Sequence, residues 1–375
     1  MQQANMDRFR DYLRARGVAA ALLSNPATLT WLTGYAPPIQ TGPSPFDGGP
    51  ALAWVRDGEV TVIVSDAEAP AVQAAGTQTR AYVGYTIEQP LACTERQLAA
   101  LLDALKPHAG ITGAVALELN WLPAAMLGAI QEALPNARLQ PHDSGLNNMR
   151  AIKTADELQK IRAALRLCDM AQHFVRERLQ AGLREIELWG QMKARLEADI
   201  NQRLPLLADL VGGLRTAEVG GPPGAYVLQE GDPLILDMVP RLDGYWGDNA
   251  ATYFVGEPSA ELRAMYTLSR DTLYRGIDAV KPGVKAKDLD SLLRNAIRNA
   301  GYEPYPHHSG HGVGVTYHEE PRIVPYNEMT LEAGMVILLE PGVYVPGVGG
   351  VRLEHALLIT PDGCEVLTHH LPERP

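Results

Sequence analysis

The 375-residue sequence is poor in cysteine: Cys93, Cys168 and Cys364 are far apart and odd in number. That speaks against a disulfide framework and against a CxxC metal site, and it suits a reducing compartment, so a cytoplasmic location is expected. No uninterrupted apolar run approaches the roughly 18 residues that span a bilayer. The opening stretch, MQQANMDRFRDYLRARG, is polar and charged and lacks the apolar segment of a secretory signal. Positive charge is in deficit: 33 Lys and Arg stand against 44 Asp and Glu, a formal net charge of −11. An acidic surface repels phosphate backbones, so neither nucleic acid nor a membrane is an expected partner. What is plentiful is apolar side chain, 46% of residues against 21% charged. That is enough to build a core and excludes disorder as the main state. The length fits two domains of ordinary size.

The first part of the chain alternates helical and strand patterns, as α/β units do. Met6, Phe9, Tyr12 and Leu13 predict a helix over 5–16, and Val18–Leu23 reads as a strand ending in the turn signal Ser24-Asn25-Pro26. Strands at 51–56 and 59–65 flank Asp57-Gly58, a strong hairpin signal. A helix at 92–106, a strand at 112–118, a helix at 122–134 and a strand at 137–141 follow. The polar stretch 143–155 reads as a linker, which places a domain boundary near 150. Beyond it Leu158, Ile161, Leu165 and Cys168 mark a long helix. The order then becomes helices, Gly- and Pro-rich strands, helices, and strands again. The helix start at 181–188 can be laid on that at 282–289 with an offset of 101. This suggests a weak internal repeat and a pseudo-twofold domain with a site between its halves.

Four acids stand out in the second half. Asp237 ends the apolar run Leu234-Ile235-Leu236, and Asp243-Gly244 lies between two strand-like runs. A two-residue loop there pairs Leu242 with Tyr245 and Asp237 with Ala250, which makes Asp248 the diagonal neighbour of Asp237 on one sheet face. Two carboxylates on one buried face cannot both ionise without a compensating charge. Glu340 ends the apolar run Met335–Leu339, and Glu354 precedes the run Ala356–Ile359. The Pro346–Gly350 turn makes these the two arms of a second hairpin. A glutamate inside a core strand is costly unless paired or metal-bound.

Histidine is concentrated nearby. Of 10 histidines, His307, His308, His311 and His318 fall close together. Glycines on both sides of His311 strip away steric cover. His311, Val313, Val315 and Tyr317 are expected on one strand face, and alternation alone puts His318 on the other. Asp237, Asp248, Glu340 and Glu354 supply four negative charges and His311 a neutral nitrogen. Two divalent cations balance that set, and its oxygen-rich ligation suits manganese, cobalt or zinc. Such a pair polarises a carbonyl and activates water.

The order Asp–Asp–His–Glu–Glu, in these local sequences, resembles the pita-bread metallopeptidases: the creatinase, prolidase, aminopeptidase P and methionine aminopeptidase family. The matching segments are Asp237–Asp248 around Gly244-Tyr245, Gly310-His311-Gly312-Val313-Gly314 with His318-Glu319-x-Pro321, Glu340-Pro341-Gly342-Val343-Tyr344, and Gly350-Val351-Arg352-Leu353-Glu354. Ser24-Asn25-Pro26 with Leu32-Thr33-Gly34-Tyr35 looks like a creatinase-type N-terminal domain. The resemblance implies an α/β (α+β) chain, with a creatinase-like N-terminal α/β domain over 1–150 and a pseudo-twofold pita-bread catalytic domain over 151–375. It implies that Asp237 binds one metal, that His311 and Glu340 bind the other, and that Asp248 and Glu354 bridge them. A hydroxide shared by the metals would attack the peptide carbonyl, with Glu340 as general base. His318 would hold the carbonyl oxygen or the tetrahedral intermediate. His307 and Arg352 would line the substrate pocket, and Arg322 resembles the arginine with which some prolidases grip a dipeptide's carboxylate.

The sequence departs from the family in three places. Ala250-Ala251-Thr252 lacks an arginine common after the second aspartate. Gly220–Gly224 lacks a pocket histidine common about seventeen residues before the first, and His355 stands where Asp or Asn is usual. The resemblance therefore implies a metal-dependent Xaa-Pro dipeptidase, a homodimer using two divalent ions with manganese foremost, acting on small peptides. Its alternatives are an aminopeptidase P acting on longer peptides and a non-catalytic peptide-binding protein on the same fold.

Overall fold

The chain opens with helix α1 (Gln3–Ala15), which buries Met6, Phe9 and Leu13 at helical spacing, and strand β1 (Val18–Leu23). The structure is a computed structural model that describes residues 2–39, 44–142 and 144–371. It divides into two compact units, Met1–Met149 and Arg150–Pro375.

In the first unit the turn expected at Ser24-Asn25-Pro26 is the start of helix α2 (Pro26–Thr33). Asn25 caps it by accepting from the Ala27 N–H, and proline at the first position suits a place where no N–H is needed. Buried Glu118 completes the cap, accepting from the N–H groups of Ser24 and Asn25 at 2.8 Å each and from the Thr28 hydroxyl at 2.6 Å. Next come β2 (Leu52–Arg56), β3 (Glu59–Ser65), α3 (Ala69–Ala74), β4 (Gln78–Tyr82), α4 (Cys93–Leu105), β5 (Gly113–Leu117), α5 (Ala124–Ala133) and β6 (Ala137–Pro141). The strands form one sheet in the order β4-β3-β2-β1-β5-β6. Its β2–β3 hairpin turns at Asp57 and Gly58, both at positive φ as a tight turn requires. Leu101, Leu105, Met126 and Ile130 close one face over Ile63, Val115 and Leu117.

The stretch 143–155 is not all linker. Residues Ser144–Ala151 form helix α6, and residue 143 lies outside the described residues. Its polar composition hid an apolar contribution from the fully buried Leu146 and Ala151.

The second unit runs α7 (Ala155–Arg178), α8 (Glu185–Ile200), β7 (Leu206–Gly212), β8 (Pro233–Leu242), β9 (Tyr245–Trp246), β10 (Asn249–Phe254), α9 (Ala260–Ala279), α10 (Ala286–Asn299), β11 (Gly310–Gly312), β12 (Glu319–Ile323), β13 (Val336–Leu339), β14 (Gly342–Val345), β15 (Gly349–Arg352), β16 (His355–Ile359) and β17 (Cys364–Val366). Helices α8 and α10 begin at residues 185 and 286, which preserves the offset of the sequence repeat. One half centres on the sheet β10-β8-β7 and the other on β12-β11-β13-β16-β17, with β14-β15 as a separate ribbon. Leu273, Leu289, Leu293 and Ile297 pack against Ile337, Leu339 and Leu357 in the core of the second half. Among the described residues no helix is long and apolar enough to cross a membrane.

Candidate metal centre

The Asp237 hairpin folds as its turn chemistry dictates. Asp243 and Gly244 both take positive φ, and the register pairs Leu242 with Tyr245 and Asp237 with Ala250. Asp248 then lies on the same side as Asp237, and both line one cavity. Glu340 and Glu354 flank the β14–β15 ribbon, whose ends meet at Gly342 and Arg352. Backbone bonds draw both acids toward the other strands. The Glu340 N–H donates to Ser309 O at 3.0 Å, and the Glu354 N–H donates to Ala250 O at 2.9 Å.

His311 sits on the short strand β11, where backbones crowd: a Cβ on Gly310 would stand 1.9 Å from Leu338 O. The expected strand does not continue through Val313, Val315 and Tyr317. Residues 313–318 bend irregularly, because β11 ends at Gly312 opposite Glu319. The bend is what brings His318 onto the His311 side, with ring centroids 4.2 Å apart.

These side chains converge on one cavity of about 440 Å³, lined by Asp237, Asp248, Glu340 and Glu354 and by His307, His308, His311 and His318, with Asp209 and Arg352 beside them. Ligand atoms of Asp248, His311 and Glu354 all lie within 4.8 Å of one another, as do those of His308, His311 and His318. Sequence reasoning missed Asp209 and left His308 without a role. Asp209 carried the signal used for Asp237, an acid within an apolar strand. His308 Nε2 lies 2.8 Å from Glu340 Oε1, while its Nδ1 accepts from Arg322 Nη2 at 2.9 Å. Arg322 is thus held by His308 and is not among the lining residues.

Burial and mutual repulsion set the charges. Burial first, then the other acids, holds Asp248 and Glu354 well above the usual carboxylate range. Asp237 is raised by burial and partly relieved by Arg352, whose Nη2 donates to it at 2.7 Å. Glu340 differs: burial pushes it up, but His308, His307 and His311 outweigh that and bring it down to about 2. Burial lowers His311 to about 3 and His307 and His318 to about 4 each, so the imidazoles are neutral. His311 Nδ1 must carry its proton, because its partner at 2.9 Å is the Gly312 carbonyl. Nε2 therefore keeps a lone pair, 3.5 Å from Asp248 Oδ2 and 3.7 Å from Glu340 Oε1.

A family model described as metallopeptidase family M24 matches residues 159–361, and the creatinase/prolidase N-terminal domain model matches residues 6–152. The chain belongs to metallopeptidase family M24. Within that family it is 36% identical over 229 residues to an uncharacterized peptidase of Staphylococcus aureus (strain USA300), a match that spans 61% of this chain and 65% of the relative. It is 28% identical over 368 residues to a Xaa-Pro dipeptidase of Lactobacillus helveticus, covering 97% of this chain and 96% of the relative. A solved Xaa-Pro dipeptidase from Bacillus anthracis superposes with a TM-score of 0.84 at 25% identity, covering 100% and 99% of the two chains.

The M24 family implies divalent metal ions, and the cavity offers what such ions need. Both carboxylate oxygens of Glu354 and the Oδ1 of Asp237 are buried without a hydrogen-bond partner among the described residues. An unsatisfied buried carboxylate oxygen is costly, and a cation is the group that relieves several at once.

Proposed function

We propose that the chain is a metal-dependent Xaa-Pro dipeptidase. The observation that carries this reading is the set of unpartnered acid oxygens facing a neutral imidazole nitrogen in one cavity. Asp237, Asp248, His311, Glu340 and Glu354 would hold two divalent ions, manganese in our reading, as the sequence resemblance implies for these positions. Ions bound there would polarise a carbonyl and lower the pKa of water. Glu340 is held ionised beside three imidazoles, and the family resemblance gives it the role of general base. His318 lines the cavity from the exposed end of the bend and would donate to the oxyanion that develops on the scissile carbonyl. His307 and Arg352 would line the pocket beside it. The bond before proline carries no N–H, so recognition must come from the carbonyl side and the termini. The full-length likeness to Xaa-Pro dipeptidases supports this substrate class. The family resemblance carries the homodimer, and three free cysteines fit a cytoplasmic location.

One observation favours the second reading, an aminopeptidase P. Arg322, the residue expected to grip a dipeptide's carboxylate, is tied to His308. Comparing hydrolysis of Ala-Pro and Ala-Pro-Ala with manganese added decides between them. Preferential cleavage of Ala-Pro is expected. Preference for the tripeptide selects the second reading, and no metal-dependent turnover of either leaves only a binding protein.

A further inference from the structure

Asp209 lies outside every segment that carries the family resemblance, yet β7 sets it directly opposite Asp237 on β8. Like charges facing each other across a sheet repel unless a cation joins them. Here the cation is the buried Arg352, whose Nη2 donates to Asp237 Oδ2 at 2.7 Å and to Asp209 Oδ2 at 3.1 Å. Its Nη1 is committed elsewhere, to Val219 O at 2.6 Å and the Tyr344 hydroxyl at 3.2 Å. One edge of the guanidinium is therefore divided between two acids. Gly220 is a second, independent mark of the arrangement: a Cβ there would stand 1.8 Å from Asp209 Oδ2. The carboxylate fills the room that a side chain at residue 220 would need, and residue 220 opens the stretch Gly220–Gly224 in which a pocket histidine is missing.

Counting charge gives Asp209 a task. Asp237, Asp248, Glu340 and Glu354 balance two divalent ions, which leaves Asp209 to balance Arg352. Without Asp209, Asp237 is the one carboxylate left to Arg352 Nη2, and the guanidinium contends with the metal for it. We propose that Asp209 is a positioning residue of the metal centre: by holding the Arg352 guanidinium it frees Asp237 to ligate. The inference rests on Asp237 being a metal ligand, as proposed above.

Calorimetric titration of the chelator-stripped full-length protein with Mn²⁺ tests it. Wild type is expected to bind two ions. Asp209→Asn is expected to weaken one of the two sites by about tenfold or more, the range for a group that orients a ligand from behind, and to leave the other within about twofold. Gly220→Ala pushes the carboxylate from its place without removing a charge. It is expected to act alike, and it covers the case in which Asp209→Asn fails to fold. In an Arg352→Met background Asp209→Asn is expected to change the affinity by less than about twofold, since no guanidinium remains to be held. Undiminished affinity in the folded single variants overturns the proposal. So does an equal loss with and without Arg352, which would make Asp209 act on the metal directly. A wild-type protein that binds no Mn²⁺ instead overturns the ligand assignment beneath it, an outcome distinct from the others.

Discussion

His311 Nε2 points at Asp248, 3.5 Å from its Oδ2, because the opposite ring nitrogen is spent on the Gly312 carbonyl. The ring is therefore fixed in the tautomer that a metal ligand needs, before any ion arrives. Replacing His311 by Ala removes the single nitrogen of the proposed ligand set while leaving its four carboxylates. Losing an orienting partner costs about 10–100-fold in metal affinity, so losing the ligand itself is expected to cost more than about 100-fold at one site. Metal analysis after dialysis is expected to show one retained ion in place of two. Two ions retained with wild-type affinity would remove His311 from the ligand set.

Glu319 braces the bend that carries His318 and titrates in a way stability measurements can follow. Its carboxylate is buried beside Lys153 at 2.6 Å and Arg150 at 3.6 Å, and it accepts from the Thr316 N–H at 3.1 Å within the bend that carries His318. Burial raises its pKa, but Lys153 and Arg150 outweigh burial and hold it below its ordinary value of 4.5. A carboxyl lowered in the folded state contributes stability that is present above its unfolded pKa and is lost as the pH falls through the folded one. Wild type is thus expected to lose stability below about pH 4.5, where Glu319→Gln shows a flatter profile from this group. At neutral pH the variant leaves Lys153 buried without its counter-charge, which costs about 3–5 kcal/mol. Denaturant midpoints measured at a series of pH values check both statements. Equal midpoints for variant and wild type at neutral pH would mean that the pair contributes nothing.

Local chemistry made part of this site legible in the sequence. Asp243-Gly244 names its own turn, the two-residue loop fixes the register, and the register fixes which acids share a face. Glu340 and Glu354 stand out because an acid beside a buried run must be compensated. The rest depended on relations that no local pattern encodes. His318 reaches the cavity through an irregular bend at 313–318, and period-two alternation cannot anticipate it. Asp209 shows the same local signal as Asp237, an acid in an apolar strand, but its partner Arg352 is 143 residues away and no local pattern names it. Helix α6 looks like linker in the sequence because its polar residues outnumber the two apolar ones it buries deeply, Leu146 and Ala151.

His318 offers the cleanest separation of chemistry from folding. Its side chain is exposed at the cavity wall and packs by ring contact on His308, His311 and Tyr317. An exposed position tolerates substitution within about 0.5 kcal/mol, so His318→Ala is expected to melt close to wild type. Removing one donor to a developing oxyanion costs about 10²–10³-fold in kcat. The loss belongs in kcat more than in KM, because the bond is made in the transition state and not to the resting substrate. His318→Gln keeps an N–H donor at similar reach and is expected to recover part of the rate. Steady-state hydrolysis of Ala-Pro by wild type and the two variants, with metal content matched, measures each quantity. If both variants turn over like wild type, the oxyanion is held by some other group. If KM alone rises, His318 binds substrate without favouring its transition state.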